Sequence, residues 1–345
     1  MTKKKLIGVI CWAVTFVALL LVATFYDLKI NAALGNADSV YGQFFRLFGE
    51  LTGWIIVPIA GAFMFQVTPK KTKGGIIVAV FWAIVVLVGW LLSFKYVLEE
   101  FTGDAYVAGY YLSPYDHIII YAAVFAVLAT PASIAATGRI SDKKTLYKLA
   151  MFAAAMLIAL ALSQILVNIM KYAWSRQRFR NLPIGNGGTD STGFTPWYHP
   201  NFGKNKGINY YPDSAGMKES DAYKSFPSGH TAGAALTFVL VMLPDLFDKL
   251  KKFKPCFYIF AIVYTVAVAV SRIVNRAHYM SDTLFGGYIG ALSSFFAIFL
   301  VGKISAWGNK KFARLIPVER SDTEIATPEE ETLPEKEESA AEENN

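Results

Sequence analysis

The chain has 345 residues, 54% of them hydrophobic and only 17% charged, with a mean hydropathy of +0.38 and a formal net charge of +7. That balance excludes an ordinary water-soluble domain of this length and points to the bilayer as the solvent. Two cysteines far apart in the sequence, Cys11 and Cys256, suggest neither a disulfide framework nor a CxxC metal site.

A helix needs roughly 20 mostly apolar residues to cross the hydrocarbon core. Such runs occur at about Leu6 to Phe25, Leu51 to Val67, Gly75 to Val97, Ile118 to Ala136, Leu149 to Met170, Gly229 to Phe247, Cys256 to Val274 and Thr283 to Val301. They predict an all-α, polytopic membrane helical bundle of about eight transmembrane helices. The first run follows Lys3, Lys4 and Lys5 but is long, and no small-residue cleavage site precedes Tyr26 and Asp27, so it reads as a retained anchor. Between the first two spans, Asp27 to Glu50 carries Phe44, Phe45, Leu47 and Phe48 and is open to reading as an interfacial helix. The fourth span contains Pro131, which a bundle tolerates when neighbours re-satisfy the freed backbone.

Lysine and arginine placement orients these spans. The even-numbered connections hold Lys70, Lys71 and Lys73, then Arg139, Lys143, Lys144 and Lys148, then Lys249, Lys251, Lys252 and Lys254. By the positive-inside rule those loops and both termini are expected on the cytoplasmic side. The outer loop from Leu98 to Asp116 agrees, with four acids and no base. The connection after Met170 does not: Lys171, Arg176, Arg178 and Arg180 fall within ten residues with no acid among them, and Arg272 and Arg276 stand at a later outward mouth. Basic residues on the disfavoured side call for an anionic partner.

Three polar stretches on that side carry the chemistry. In the first, Lys171 and Arg178 are seven apart, so on a helix they point to one side and can share a phosphate, although snorkelling at a span end is the bland reading. In the second, Pro227-Ser228-Gly229-His230 opens an apolar run. The Ser228 and Gly229 amides then lie at a helix N-terminus, which favours an anion, and His230 stands beside it as a proton donor; a plain Ser-capped helix is the alternative. In the third, His278 and Asp282 are four apart. On a helix the carboxylate accepts the Nδ1 proton and leaves Nε2 as a free lone pair, while Arg272 is suited to clamp phosphoryl oxygens. An isolated HxxxD is more often incidental; the three stretches together, in order and on one side, are what argue for a phosphate site.

These residues, Lys171-x6-Arg178, Pro227-Ser228-Gly229-His230 and Ser271-Arg272-x5-His278-x3-Asp282, resemble the three signature motifs of the type 2 phosphatidic acid phosphatase family, membrane relatives of vanadium haloperoxidases and glucose-6-phosphatase. The resemblance covers about the last six spans, from roughly Gly75 to Val301. It divides the chain into residues 1–74, with two helices and the intervening segment, a six-helix catalytic domain at 75–303, and a tail at 304–345. Phe179 replaces the proline that usually follows the first-motif arginine, which implies a different local turn around Arg178.

The resemblance implies that His278 attacks phosphorus, Asp282 orients it, and His230 protonates the leaving group. Lys171, Arg178, Arg272, Ser228 and the Gly229 amide would hold the phosphoryl oxygens, with no metal or other cofactor. The expected substrate is a lipid phosphate or pyrophosphate such as a polyprenyl diphosphate, phosphatidate or phosphatidylglycerophosphate. The partners are that substrate and membrane lipids, with no nucleic acid. A phosphotransferase using the same phosphohistidine is the alternative. A transporter or scaffold is a third, disfavoured because the spans are nearly free of charge.

The long outer connection from Asn181 to Phe226, with Trp197, Tyr198, Phe202, Tyr210 and Tyr211, reads equally as a lid or as an ordinary loop. His117 and His199 belong to no motif and are expected at the surface. From Glu319 onward eleven acids face two bases, a net of −9 that describes a disordered tail and leaves the preceding body at +16.

Overall fold

Eight helical segments among the described residues are long and apolar enough to cross a membrane, as the hydropathy runs predict. The computed structural model describes residues 3–102, 115–204 and 219–315. The acidic tail, Tyr210 and Tyr211 lie outside them, as does the side chain of His117. The chain divides into two units, residues 1–303 and 304–345, and all that follows concerns the first.

The helices are α1 (Lys3–Leu34), α2 (Val40–Val67), α3 (Lys73–Thr102), α4 (Tyr115–Gly138), α5 (Lys143–Trp174), the short α6 (Glu219–Ala222), α7 (Gly229–Ala235), α8 (Leu243–Leu246), α9 (Lys254–Val274) and α10 (Met280–Leu315). A 3₁₀ segment, Leu236–Met242, joins α7 to α8, so the sixth span is α-helical only at its ends. Side-chain caps mark several starts: Ser39 accepts from the Gly42 amide, Asp142 from Lys144 and Thr145, and Ser228 from Thr231.

The stretch from Asp27 to Glu50 is not a separate interfacial helix. α1 runs through it to Leu34, and α2 begins at Val40, about three turns before its apolar run would place it. The reason is tertiary: Asp27 is 3% exposed and satisfied by partners on other elements, so a charge that should end a span is carried inside one.

α2 occupies the middle of the bundle, packing on α3 and α4 on one side and on α5, α7 and α9 on the other. Lipid tails are as apolar as the side chains, so these helices are held by close packing rather than by expulsion of water. Small residues permit it. A Cβ on Gly89 of α3 would lie 2.7 Å from Pro58 Cδ of α2, and Cβ atoms on Gly286 and Gly290 of α10 would run into the Ser228 and Ala232 carbonyls of the sixth span. Ile56, Ala60, Phe152, Ala153, Met156, Ala159, Leu236, Val239 and Ala297 form the central apolar cluster. Outward-facing residues such as Val14, Ile77, Leu128 and Val263 meet the lipid.

Successive spans run in opposite directions, so the start of α2, the ends of α3, α5 and α9, and the starts of α7 and α10 all meet at one face of the membrane. The site lies at that face.

Candidate active site

At this face a cavity of about 580 Å³ is lined by Lys171, Arg178, Gly229, His230, Arg272 and His278, joined by Arg46, Glu50, Glu100, Arg180 and Asp221. Six of the eight expected site residues thus share one pocket. Ser228 and Asp282 lie behind it, both fully buried.

His278 is not on a helix with Asp282. It sits in the turn between α9 and α10, its amide and that of Ala277 both donating to the Arg272 carbonyl, and Asp282 falls in the first turn of α10. The expected direct contact is therefore absent: His278 Nδ1 and Asp282 Oδ2 are 3.7 Å apart, beyond hydrogen-bonding distance. Nδ1 instead lies 2.6 Å from the backbone carbonyl oxygen of Ser225. A carbonyl can only accept, so Nδ1 carries the proton and Nε2 the lone pair. Asp282 reaches His278 through the same residue, because the Ser225 hydroxyl donates to its Oδ2 at 2.5 Å and the Tyr279 amide donates to that oxygen at 2.9 Å. On the other side of the ring's backbone, the Asn31 amide of α1 donates to the His278 carbonyl at 3.0 Å.

Burial, with the guanidinium groups of Arg178 and Arg272 and the ammonium of Lys171 nearby, holds the His278 imidazole well below its ordinary value of 6.5. It is neutral at pH 7. Desolvation and positive neighbours act in the same direction, so the ring offers its lone pair to the pocket rather than another charge.

Ser228 departs from its expected role. Its amide donates to the Asp282 carbonyl at 2.9 Å, and its hydroxyl accepts from Thr231 to cap α7 and is fully buried behind the cavity instead of lining it. Gly229 follows at the first helical position and lines the pocket; a Cβ there would stand 3.3 Å from Lys171 Nζ, so glycine leaves the ammonium room. The amides of the first helical turn have no partner within the helix.

Lys171 and Arg178 do not share a helix. α5 ends at Trp174, Ser175 takes a left-handed conformation with φ 42° and ψ 41°, and Arg178 follows in extended backbone. Both still line the cavity, because the chain folds back: the Arg178 amide donates to the Ala222 carbonyl and its Nε to the Asp221 carbonyl at 2.9 Å. Phe179, at the position of the missing proline, is 2% exposed and packs edge-on to Tyr279 beside Leu182, which pins the turn by packing. Asp221 faces the cavity too. Burial alone would raise its carboxyl, but the hydrogen bond from Lys224 at 2.7 Å and the charges of Arg178 and Lys171 hold it below the usual carboxylate range.

Arg272 is 3% exposed, and its Nε and Nη1 have no hydrogen-bond partner among the described residues. Unsatisfied donors on a buried guanidinium are costly, and an anion in the pocket is what would satisfy them. Arg176 contrasts with it. It is fully buried and binds Asp282 Oδ1 at 2.6 Å, Asp27 Oδ2 at 3.0 Å, the Ser281 hydroxyl at 2.7 Å and the Thr195 carbonyl at 2.6 Å. Its anionic partners are internal, so it holds the site together instead of binding a ligand. Arg276 likewise donates to the Gly185 and Gly35 carbonyls.

Glu50 was not anticipated. It enters from α2 and places Oε2 3.1 Å from His230 Nε2, without the alignment of a hydrogen bond. Its only sequence signal is an acid at the edge of an apolar run. Of the aromatic residues of the outer connection that are described, Tyr223 lines the cavity, whereas Trp197 donates to Thr24 Oγ1 at 2.9 Å and packs on Phe285, and neither it nor Tyr198 or Phe202 lines it; nor does His199.

Residues 152–305 match the family model described as the PAP2 superfamily, which bears out the resemblance drawn from the motifs. The match begins inside α5 and so covers the last four spans rather than the last six. The chain is 35% identical over 86 residues to phosphatidylglycerophosphatase B of Bacillus subtilis (strain 168), covering 24% of this chain and 42% of that protein. It is 29% identical over 154 residues to lipid phosphate phosphatase 1 of Arabidopsis thaliana, covering 41% of this chain and 42% of that protein. The chain thus spans less than half the length of these relatives. No solved structure matches it significantly.

Proposed function

We propose, on the premise that residues 152–305 are a PAP2-superfamily segment, that this multi-pass membrane protein hydrolyses lipid phosphates or pyrophosphates through a phosphohistidine, without a metal ion. The observation that carries the reading is the pairing of His278 Nδ1 with the Ser225 carbonyl, which makes Nε2 the nucleophilic atom beside three cations.

In the first step Nε2 of His278 attacks phosphorus and the bond from phosphorus to the leaving oxygen breaks, while His230 gives that oxygen its proton. Water then attacks the phosphohistidine, His230 takes a proton from it, the P–N bond breaks, and inorganic phosphate leaves. Lys171, Arg178 and Arg272 stabilise the charge on the equatorial oxygens, the part a metal ion plays in other phosphoryl-transfer sites. His230 shuttles this proton, and the Glu50 carboxyl group 3.1 Å from its Nε2 is the side chain available to orient it. Asp282 acts through Ser225, fixing the residue whose carbonyl sets the His278 tautomer.

The lysine distribution supports a topology with both termini in the cytoplasm and the site on the outer face. The test of function is release of inorganic phosphate from a panel of lipid phosphates by purified protein in detergent with EDTA, with His278→Ala as the control. Metal-independent release that disappears in the variant is expected. Transfer to a hydroxyl acceptor without release would make the protein a phosphotransferase, and unchanged release in His278→Ala would remove the nucleophile.

A further inference from the structure

His278 is gripped at three points. Its amide donates to the Arg272 carbonyl at 3.2 Å, its Nδ1 donates to the Ser225 carbonyl at 2.6 Å, and its own carbonyl accepts from Asn31 Nδ2 at 3.0 Å. The first two partners belong to the family-matched segment, residues 152–305. The third stands on α1, 247 positions from His278 in the sequence.

Asn31 belongs to a row of contacts along this turn. Asp27, four residues earlier and so on the same face of α1, accepts from the Ser281 amide at 3.0 Å and from the Ser281 hydroxyl at 2.5 Å. Past the end of α1, the Gly35 carbonyl accepts from Arg276 Nη2 at 2.9 Å, and the Asn36 amide donates to the Val274 carbonyl at 2.8 Å. One edge of the first helix and its exit thus follow the turn from Val274 to Ser281. Gly35 lets them meet closely, since a Cβ there would lie 2.9 Å from Arg276 Cγ.

Of these contacts, the one from Asn31 reaches the nucleophile itself. The side chain is fully buried in the last turn of α1, and its Oδ1 has no partner among the described residues. A buried amide with one polar atom unpaired is costly, and an apolar side chain would fill the same place without that cost. The bond that the amide does make is to the backbone of His278, and a carbonyl can only accept, so the nitrogen faces it.

We propose that Asn31 is a positioning residue for phosphoryl transfer, holding the His278 carbonyl so that Nε2 stands at the right distance from phosphorus. The proposal rests on the phosphatase reading above, and it extends the working site to a helix outside the family-matched segment. The two anchors divide the work. Ser225 selects the tautomer and turns the ring, while Asn31 fixes the backbone from which the ring projects. Misplacing an attacking atom by about 1 Å can cost on the order of 10²-fold in rate. Binding depends on the side chains of Lys171, Arg178 and Arg272, so the effect of Asn31 falls on the rate of the first step.

The test uses Asn31→Leu, which keeps a branched side chain and removes the donor, in the full chain in detergent. Single turnovers are run with protein in excess over labelled phosphatidate and, separately, over labelled farnesyl diphosphate, and disappearance of the lipid phosphate gives the rate constant of the first step. Its plateau at saturating protein does not depend on what fraction of the sample is folded, so a merely structural role would not move it. The plateau should fall about tenfold or more in Asn31→Leu, and should stay within about twofold of the parent in Thr24→Val, which removes the bond from Trp197 to α1 instead. If Asn31→Leu does not accumulate, Asn31→Gln keeps the donor but carries it one methylene further, and should lower the plateau about threefold or more. An unchanged plateau in the Asn31 variant, or an equal fall in Thr24→Val, would overturn the positioning role. Failure of the parent to consume either lipid would instead overturn the phosphatase reading on which it rests.

Discussion

Nδ1 of His278 lies 2.6 Å from the carbonyl oxygen of Ser225 and 3.7 Å from Oδ2 of Asp282, so the histidine is set by a backbone group that the aspartate holds through the serine hydroxyl. This arrangement separates two tasks that a direct His–Asp pair would merge. The carbonyl chooses the tautomer, and the carboxylate fixes the carbonyl.

The two tasks separate in mutants. Ser225→Ala keeps the carbonyl and loses the hydroxyl, and should lower kcat about tenfold while costing about 1–3 kcal/mol for the acceptor left unsatisfied. Asp282→Ala also strips the buried Arg176 of a partner and should cost about 3–5 kcal/mol. Steady-state kinetics and thermal melts of both variants check this; a Ser225→Ala protein as inactive as His278→Ala would show that the hydroxyl itself takes part in the chemistry.

Stability should depend on pH through His278. Its folded value lies below its unfolded value near 6.5, so as pH falls below 6.5 the unfolded chain takes up a proton that the folded one refuses, and stability declines until the folded value is reached. The parent should therefore lose more melting temperature between pH 7.5 and 5.5 than His278→Gln does. Equal losses would mean that the ring is not held neutral. The same neutrality places the acid limb of kcat/KM that belongs to the nucleophile below pH 6.5.

Arg272 is expected to be the most demanding of the three cations, since Nε and Nη1 both lack a partner among the described residues. Arg272→Lys supplies the charge without the fork and should recover little of the ~10²-fold or greater loss of kcat/KM expected for Arg272→Ala. Phosphate or vanadate, binding the folded state only, should raise the melting temperature of the parent, by about 2.7 kcal/mol of stability at a hundred times Kd. The shift should vanish in Arg272→Ala, and its persistence there would assign the anion to other groups.

Glu50→Gln keeps the shape of the contact with His230 and removes its charge. The variant should lower kcat more than it raises KM, with the melting temperature little changed. Unchanged kcat would leave Glu50 as packing only.

Much of this was legible in the sequence because its signals are local. Apolar runs gave the eight spans, and Lys171, Gly229, His230, Arg272 and His278 each stand where a motif meets the end of a run. What the sequence withheld depends on tertiary contact. Every residue has a carbonyl, so nothing marked Ser225 as the partner of His278. Arg176 and Arg178 are two residues apart and chemically alike, yet one is held by internal carboxylates and the other lines the pocket. Glu50 and Asp27 reach the site from helices that precede its motifs, and helical periodicity does not say which faces of different helices meet.

The ion pair between Asp27 and Arg176 also constrains how the protein is made. The two residues are 149 positions apart, so α1 leaves the ribosome and enters the translocon long before its guanidinium partner exists. During that interval the carboxylate has no countercharge, and hydrocarbon is a poor place to wait. The nascent first helix should therefore rest high in the bilayer, with Asp27 at the headgroups, and settle to its final depth only after the fifth helix has delivered Arg176. Biogenesis, rather than the finished protein, is where a substitution at Asp27 should first be felt.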